Sequence, residues 1–93
     1  MEEELKETIT RAAAALKELG AREVYVFGSA ASGRLGPDSD VDLAVLGLPP
    51  ERFFKAMARA GDLLGRPVDL ICLEDDNPFT RYLREEGELK RVA

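Results

Sequence analysis

Apolar residues follow two different patterns along this chain, and these patterns predict where helices and strands lie. Between residues 2 and 19 the apolar side chains fall every three or four positions, which is the spacing of one buried helical face. They are Leu5, Ile9, Ala12, Leu16 and Leu19. Gly20 follows as the expected helix end. Three runs rich in β-branched and aromatic residues, at 23–27, 41–46 and 68–73, predict strands.

Two further helices are predicted beside the later strands. Pro49 and Pro50 start the first of them, and Gly65 ends it. Its buried face is expected to consist of Phe54, Met57, Ala58, Gly61 and Leu64. Residues 75–78 form a turn that starts the last helix, which carries an apolar patch of Phe79, Tyr82 and Leu83 and ends before Gly87. The final residues are expected to add a short edge strand.

This order of elements predicts one α/β domain of the α+β type over residues 1–93, with no linker or repeat. The sheet is expected to be small, with three to four strands and with helices packed mainly on one face. About a dozen residues join the first two strands, so either a parallel or an antiparallel pairing is possible there.

Polar residues suited to nucleotide chemistry flank two of the strands. Gly28 and Ser29 follow the first strand, and Asp40 and Asp42 lie at the start of the second. In an extended chain the two carboxylates point the same way, about 7 Å apart at their backbones, and repel unless a cation lies between them. Asp69 adds a third carboxylate inside an apolar run. A backbone-rich turn facing such carboxylates is what a nucleoside triphosphate with Mg²⁺ requires.

Two better-known signatures overlap this stretch and fail at the positions that carry their chemistry. A Walker A loop needs Lys and then Ser or Thr after its second glycine, where this chain has Arg34 and Leu35. An EF-hand loop could begin at Asp38, but Leu43 and Pro49 stand where its glycine and its bidentate glutamate belong. Neither reading explains the residues.

Composition excludes several classes of function. The chain of 93 residues has no histidine, which rules out Ser-His-Asp triads and zinc sites of the histidine type. Its net charge of −5, without a basic cluster, argues against nucleic acid as a partner. No apolar run approaches the roughly 20 residues of a membrane span. A single cysteine, Cys72, favours a reducing, cytoplasmic location. The core is small enough that self-association or a partner would add stability.

The residues Gly28-Ser29, Asp40-x-Asp42 and Asp69 resemble the nucleotidyltransferase superfamily that includes DNA polymerase beta and the kanamycin nucleotidyltransferases. The short length is similar to that of the minimal nucleotidyltransferase subfamily, and the likeness runs from the first helix to the last. The resemblance implies the polymerase beta-like fold, with Gly28 and Ser29 holding the triphosphate. It also implies that Asp40 and Asp42 bind two Mg²⁺ ions, and that Asp69 ligates the catalytic metal and helps to deprotonate the acceptor hydroxyl.

Members of that subfamily often form a toxin–antitoxin pair with a HEPN-domain toxin, and some transfer AMP to a tyrosine of the toxin. The resemblance therefore implies transfer of a nucleoside monophosphate, with ATP the expected donor, to a hydroxyl of a protein partner. Phe79 and Tyr82 are candidates for the docking surface. The family commonly carries arginines where this chain has Ala30 and Ser32, so Arg34 is the candidate phosphate contact. The alternative is a binding module that neutralises its partner without catalysis.

Overall fold

The computed structural model describes residues 3–34, 36, 39–86 and 89–93. In chain order the elements are α1 (Glu3–Glu18), β1 (Glu23–Phe27), α2 (Ser29–Ser32), β2 (Val41–Leu46), a 3-10 turn (Pro50–Arg52), α3 (Phe53–Leu64), β3 (Val68–Cys72), α4 (Pro78–Glu86) and β4 (Lys90–Arg91). The sequence predictions that involve Leu35, Asp38 and Gly87 lie outside the described residues. The three predicted strands and the edge strand are present, so the predicted order of elements is confirmed.

The strands form one mixed sheet in the order β3-β2-β1-β4. β1 runs antiparallel to both β2 and β4, which settles the pairing that the sequence left open. β2 and β3 are parallel because α3 carries the chain back between them. A four-stranded mixed sheet with helices confirms the predicted fold class.

The main core lies between one face of the sheet and the helices α1 and α3. Ile9, Ala12 and Leu16 of α1 are buried against Val26 and Leu43 of the sheet, which confirms the predicted stripe of the first helix. The helix ends in a turn in which the Ala21 amide donates to the Leu16 carbonyl, as the glycine at position 20 predicts. Among the described helices, none is both long and apolar enough to cross a membrane.

The predicted buried face of α3 is right at Leu64, and Met57 packs partly buried against the core, but the face is wrong at Phe54 and Ala58. The side chains that it buries are Ala56, Ala60 and Leu64, whereas Phe54 is 79% exposed and Ala58 is exposed. Small alanines let α3 approach α1 closely, so the contact face follows the alanines rather than the largest apolar residues. The prediction gave the aromatic residue more weight than this packing allows.

The opposite face of the sheet has a second, smaller core under α4. Phe27, Ala44, Leu73 and Leu83 are buried there. Side chains alternate between the two faces along a strand, and Leu43 belongs to the main core, so Asp42 lies on the α4 face. This cluster covers only part of the face, since Asp69 on β3 is exposed. The uncovered end of this face holds the residues that the sequence singled out.

Candidate active site

Three strands meet at the end of the sheet that carries the acidic residues. Phe27 at the end of β1 is paired with Asp42 on β2, and Asp42 is paired in turn with Asp69 on β3. Paired residues of neighbouring strands put their side chains on the same face, with the strands about 4.8 Å apart. Asp40 lies two residues before Asp42, just outside the strand. The sheet therefore brings Asp42 and Asp69 side by side, as the sequence predicts, with Asp40 next to them along the chain.

The electrostatics of this end of the sheet show that the carboxylates influence one another. The pKa of Asp42 is raised above its ordinary value, first by burial and then by the negative charges of Asp69 and Asp40. Within the described parts of the chain, none of the three forms an ion pair or accepts a hydrogen bond from a side chain. The protein thus gathers negative charge here without supplying a cation of its own.

Gly28 lies directly against the Asp42 carboxylate. Its backbone angles, φ 62° and ψ −139°, fall in a region that side chains other than hydrogen rarely adopt. A Cβ atom at this position would lie 2.5 Å from Asp42 Oδ2. A glycine at this position also allows a phosphate to approach the backbone closely, because it has no Cβ. The structure adds that the glycine is needed for the carboxylate to occupy its position at all.

The turn after β1 forms one short helical turn, α2, which begins at Ser29 as predicted. The Ala31 and Ser32 amides both donate to the Gly28 carbonyl at 3.1 Å. The amides of Ser29 and Ala30 precede them in the first turn, where a helix supplies no acceptor of its own and an anion can bind. Gly33 ends the turn in the left-handed conformation, and the Arg34 amide donates to the Ser29 carbonyl. The Arg34 side chain is exposed. That Gly28, Ser29 and Arg34 hold a triphosphate stays a prediction.

The two positions at which the chain departs from the family pattern differ in their surroundings. Ala30 is buried in the main core, on the face of the sheet that packs against α1 and α3. Ser32 is exposed, and its hydroxyl donates to the Ser29 carbonyl at 3.3 Å. Neither side chain offers a positive charge to a phosphate, so Arg34 is the cation that follows the turn most closely in sequence.

The three aspartates offer the type of ligand that Mg²⁺ prefers, although the described side chains are not already arranged around one ion position. Carboxylate oxygens are the ligands that Mg²⁺ prefers, and this ion is usually held by one or two carboxylates together with phosphate oxygens of the substrate. Across the residues given above as described, no group of three or more His, Cys, Asp or Glu side chains is already arranged around one ion position. Asp42 and Asp69 would supply the protein oxygens and Asp40 a further one. The two-ion site stays a prediction.

Two residues near this site were not singled out from the sequence. Arg66, just before β3, donates from Nη1 to the carbonyl oxygens of Gly36 at 2.9 Å and Ser39 at 3.2 Å. The Ser39 hydroxyl accepts from the Gly36 amide at 3.1 Å. The two hydrogen bonds of Arg66 join segments about thirty residues apart in sequence. Spacing patterns do not reveal such contacts, although an arginine between Gly65 and Pro67 at a strand start was a visible signal.

A cavity of about 590 Å³ lies at the other end of β2 and β3. Its walls include Leu48, Pro49, Phe53, Phe54 and Cys72. This lining is mostly apolar and contains none of the predicted site residues. Phosphates and metal ions need charged or polar ligands, so the acidic end of the sheet remains the candidate active site.

A small mixed sheet with a Gly-Ser turn beside strand-borne aspartates is the architecture of a nucleotidyltransferase domain. The chain belongs to the family described as Polymerase beta, Nucleotidyltransferase, which it matches over residues 7–89. This confirms the family resemblance stated from the sequence. A search among curated proteins found no match.

Solved structures with the same fold include one assigned to a minimal nucleotidyltransferase, with a TM-score of 0.78 and 29% identity, over 95% of this chain and 92% of the other. A toxin–antitoxin structure with AMP-PNP gives a TM-score of 0.71 at 22% identity, over 95% and 72% of the two chains. A tri-AMPylated HEPN toxin from Shewanella oneidensis in complex with its MNT antitoxin gives 0.65 at 19% identity, over 100% and 72%. The last two likenesses establish the fold alone.

Proposed function

We propose that this protein is a Mg²⁺-dependent nucleotidyltransferase that moves AMP from ATP to a hydroxyl group of a protein partner. The observation that carries the proposal is the register that pairs Asp42 with Asp69 while Gly28 leaves room for the Asp42 carboxylate. In this proposal Asp40, Asp42 and Asp69 hold the metal ions. Bound Mg²⁺ would neutralise the phosphates and the charge that develops during transfer.

The chain's own residues have defined tasks in the proposed reaction. The amides that follow Gly28, with the Ser29 hydroxyl and the Arg34 guanidinium, would bind the triphosphate at the start of α2. The acceptor oxygen forms a bond to the α-phosphorus as the bond to the β-phosphate oxygen breaks, so pyrophosphate leaves. Asp69 is exposed and would take the proton of the acceptor hydroxyl. Asp42, held against Gly28, would fix the distance between the phosphates and that proton acceptor.

The acceptor is proposed to arrive on another protein, and a docking surface next to the site would position it in line, which supplies much of the rate. Phe79 and Tyr82 on α4 are 50% and 51% exposed. The Phe79 ring packs edge-on against Phe27 at 5.8 Å between centroids, and Phe27 is the register partner of Asp42. An apolar surface therefore adjoins the acidic end of the sheet, and it suits a partner with an apolar contact surrounded by basic residues.

The partner we propose is a HEPN-domain toxin, with this protein as its antitoxin. The support is the family, together with the fold shared with an MNT antitoxin bound to such a toxin. Under this proposal the protein suppresses the toxin by adding AMP to it, and it forms at least a transient complex with it.

A second candidate is a binding module that suppresses the same partner without catalysis. Ala30 and Ser32 favour it, because neither supplies the positive charge that the family commonly places there. The two candidates differ in what happens when the carboxylates are removed, since a binding surface does not need them.

The test measures suppression of the HEPN-domain partner's activity by the wild type, by the double variant Asp40→Ala/Asp42→Ala, and by Asp62→Ala. Asp62 is an exposed carboxylate on α3 and serves as the control for lost charge. A nucleotidyltransferase suppresses the partner only with ATP and Mg²⁺, and the double variant fails while Asp62→Ala works. Equal suppression by the double variant, without ATP, would contradict the proposed enzyme and support the binding module.

A further inference from the structure

A single guanidinium joins the loop that carries Asp40 to the start of the strand that carries Asp69. Arg66 is half-buried between α3 and β3. Its Nη1 atom donates to the carbonyl oxygens of Gly36 and Ser39, at 2.9 and 3.2 Å. Both acceptors lie in the segment between α2 and β2. Hydrogen bonds from a charged donor are stronger than neutral ones, so this contact restrains the backbone at Gly36 and Ser39 more than a neutral side chain could.

The backbone beside Arg66 makes a further contact with the same segment. The Val41 amide donates to the Pro67 carbonyl at 3.0 Å. Asp40 is thus flanked on one side by Ser39, bonded to Arg66, and on the other by Val41, bonded to Pro67. Asp69 follows two residues after Pro67, as the second residue of β3. The positions of Asp40 and Asp69 are therefore set relative to one short segment of backbone.

Arg66 is connected to the site by its hydrogen bonds to the backbone rather than by an ion pair with one of the three aspartates. Within the described residues Arg66 forms no ion pair with a carboxylate. Its two recorded acceptors are both backbone carbonyls. Arg66 therefore acts on the site by fixing the backbone at Gly36 and Ser39, and with it the position of Asp40.

We propose that Arg66 is a positioning residue of the active site, which holds Asp40 at the distance from Asp42 and Asp69 that metal-bound nucleotide requires. The proposal rests on the proposed function for its consequence, because it assigns no chemistry to Arg66 itself. Partners in the outer shell of metal sites typically change metal affinity by about 10–100-fold when they are removed. Arg66 reaches the site through two carbonyls of the loop, so an effect near the lower end of that range is expected.

The chain contains a matched control in Arg52. Its Nη1 atom also donates to a backbone carbonyl, that of Leu19 at 2.8 Å, and it joins distant segments in the same way. Leu19 lies between α1 and the start of β1, and that start pairs with Leu46 at the end of β2 opposite to Asp42. Loss of Arg52 therefore removes a comparable contact without touching the acidic end of the sheet.

The experiment compares the full-length wild type with Arg66→Ala, Arg66→Lys and Arg52→Ala. Binding of Mn²⁺ with a nonhydrolysable ATP analogue is followed by the electron paramagnetic resonance of free Mn²⁺, so no turnover is needed. We expect Arg66→Ala to weaken Mn²⁺ binding about tenfold. Arg66→Lys, which keeps a charged donor, should recover part of the loss, and Arg52→Ala should bind as the wild type does. Wild-type affinity in Arg66→Ala, or an equal loss in Arg52→Ala, would overturn the proposal.

Amide hydrogen exchange separates this proposal from the proposed function. Arg66→Ala should speed exchange of the Val41 amide relative to the Leu43 amide in the middle of β2, whereas Arg52→Ala should leave that ratio unchanged. If the wild type binds no Mn²⁺ at all, the proposed function fails and the exchange ratio alone decides. An unchanged ratio in Arg66→Ala would then show that this arginine does not position the loop.

Discussion

Replacing Gly28 with alanine tests the contact on which the candidate site depends. The glycine has φ 62° and ψ −139°, and alanine in such a conformation costs about 1–3 kcal/mol of strain. A Cβ would also lie 2.5 Å from Asp42 Oδ2, so the carboxylate must move away. The variant is therefore expected to lose stability as well as nucleotide binding. If Gly28 served only the approach of a phosphate, binding would be lost with stability nearly unchanged; its contact with Asp42 adds the loss of stability.

The two costs can be separated with a double-mutant cycle. In an Asp42→Ala background the nearest remaining side-chain atom is the Asp42 Cβ position, 3.8 Å from the new methyl group, which is an ordinary contact. Only the backbone strain then remains. Coupling between residues in contact is typically about 0.5–3 kcal/mol. We expect Gly28→Ala to cost about 1 kcal/mol more in the wild-type background than in the Asp42→Ala background.

The assay is thermal and urea unfolding of the four proteins in the cycle, with Gly65→Ala as control. Gly65 also has a positive φ, 67°, but its Cβ would meet nothing within 4 Å. The Gly65→Ala variant should lose about 1–2 kcal/mol of its free energy of unfolding and keep its nucleotide affinity. Each kcal/mol corresponds to roughly 4–8 °C in Tm for a domain of this size. If the Gly28 and Asp42 effects are additive, and Gly28→Ala binds nucleotide like Gly65→Ala, the reasoning is refuted.

Three further predictions concern charge, packing and the docking surface. The pKa of Asp42 is higher in the folded protein than its ordinary value of 3.8, so the unfolded chain gives up this proton at lower pH and stability falls as the pH rises above 3.8. Asp42→Asn should therefore raise the Tm at pH 7 in the presence of EDTA, and the gain should vanish below pH 3.8; a lower Tm at neutral pH would contradict this sign. Leu83→Ala removes a buried side chain of the α4 core and should cost about 2–5 kcal/mol in urea unfolding. Tyr82→Ala, on the exposed side of the same helix, should change stability by less than about 0.5 kcal/mol but weaken binding of the HEPN-domain partner, and unchanged partner binding would remove it from the docking surface.

Much of the fold could be predicted from the sequence, because the signals for turns and strands each lie within a few neighbouring residues. Turn glycines and alternating apolar runs located β1 and β2 at their observed bounds. Helix α3 shows the limit of that reasoning, because its buried face depends on how closely it approaches α1. Phe54 is exposed for that reason, while Ala56 and Ala60 are buried.

The candidate site was predictable only where its residues are close in sequence. The spacing of Asp40 and Asp42 indicated a shared direction, and Asp69 stood out as a charge in an apolar strand. The register that pairs Asp69 with Asp42 is a property of the sheet, and no local pattern encodes it. Arg66 escaped notice for the same reason, since its acceptors lie on a distant loop.

The most direct test of the proposed reaction uses ATP labelled at the α-phosphate and, in a parallel sample, at the γ-phosphate. Each is incubated with Mg²⁺, this protein and the HEPN-domain partner, and the partner is then isolated and its intact mass measured. Nucleotidyl transfer predicts that the α label alone reaches the partner, with a mass gain of one or more AMP groups, and that Asp69→Asn abolishes it. Transfer of the γ label, or no label on a partner that is nevertheless suppressed, would contradict the account.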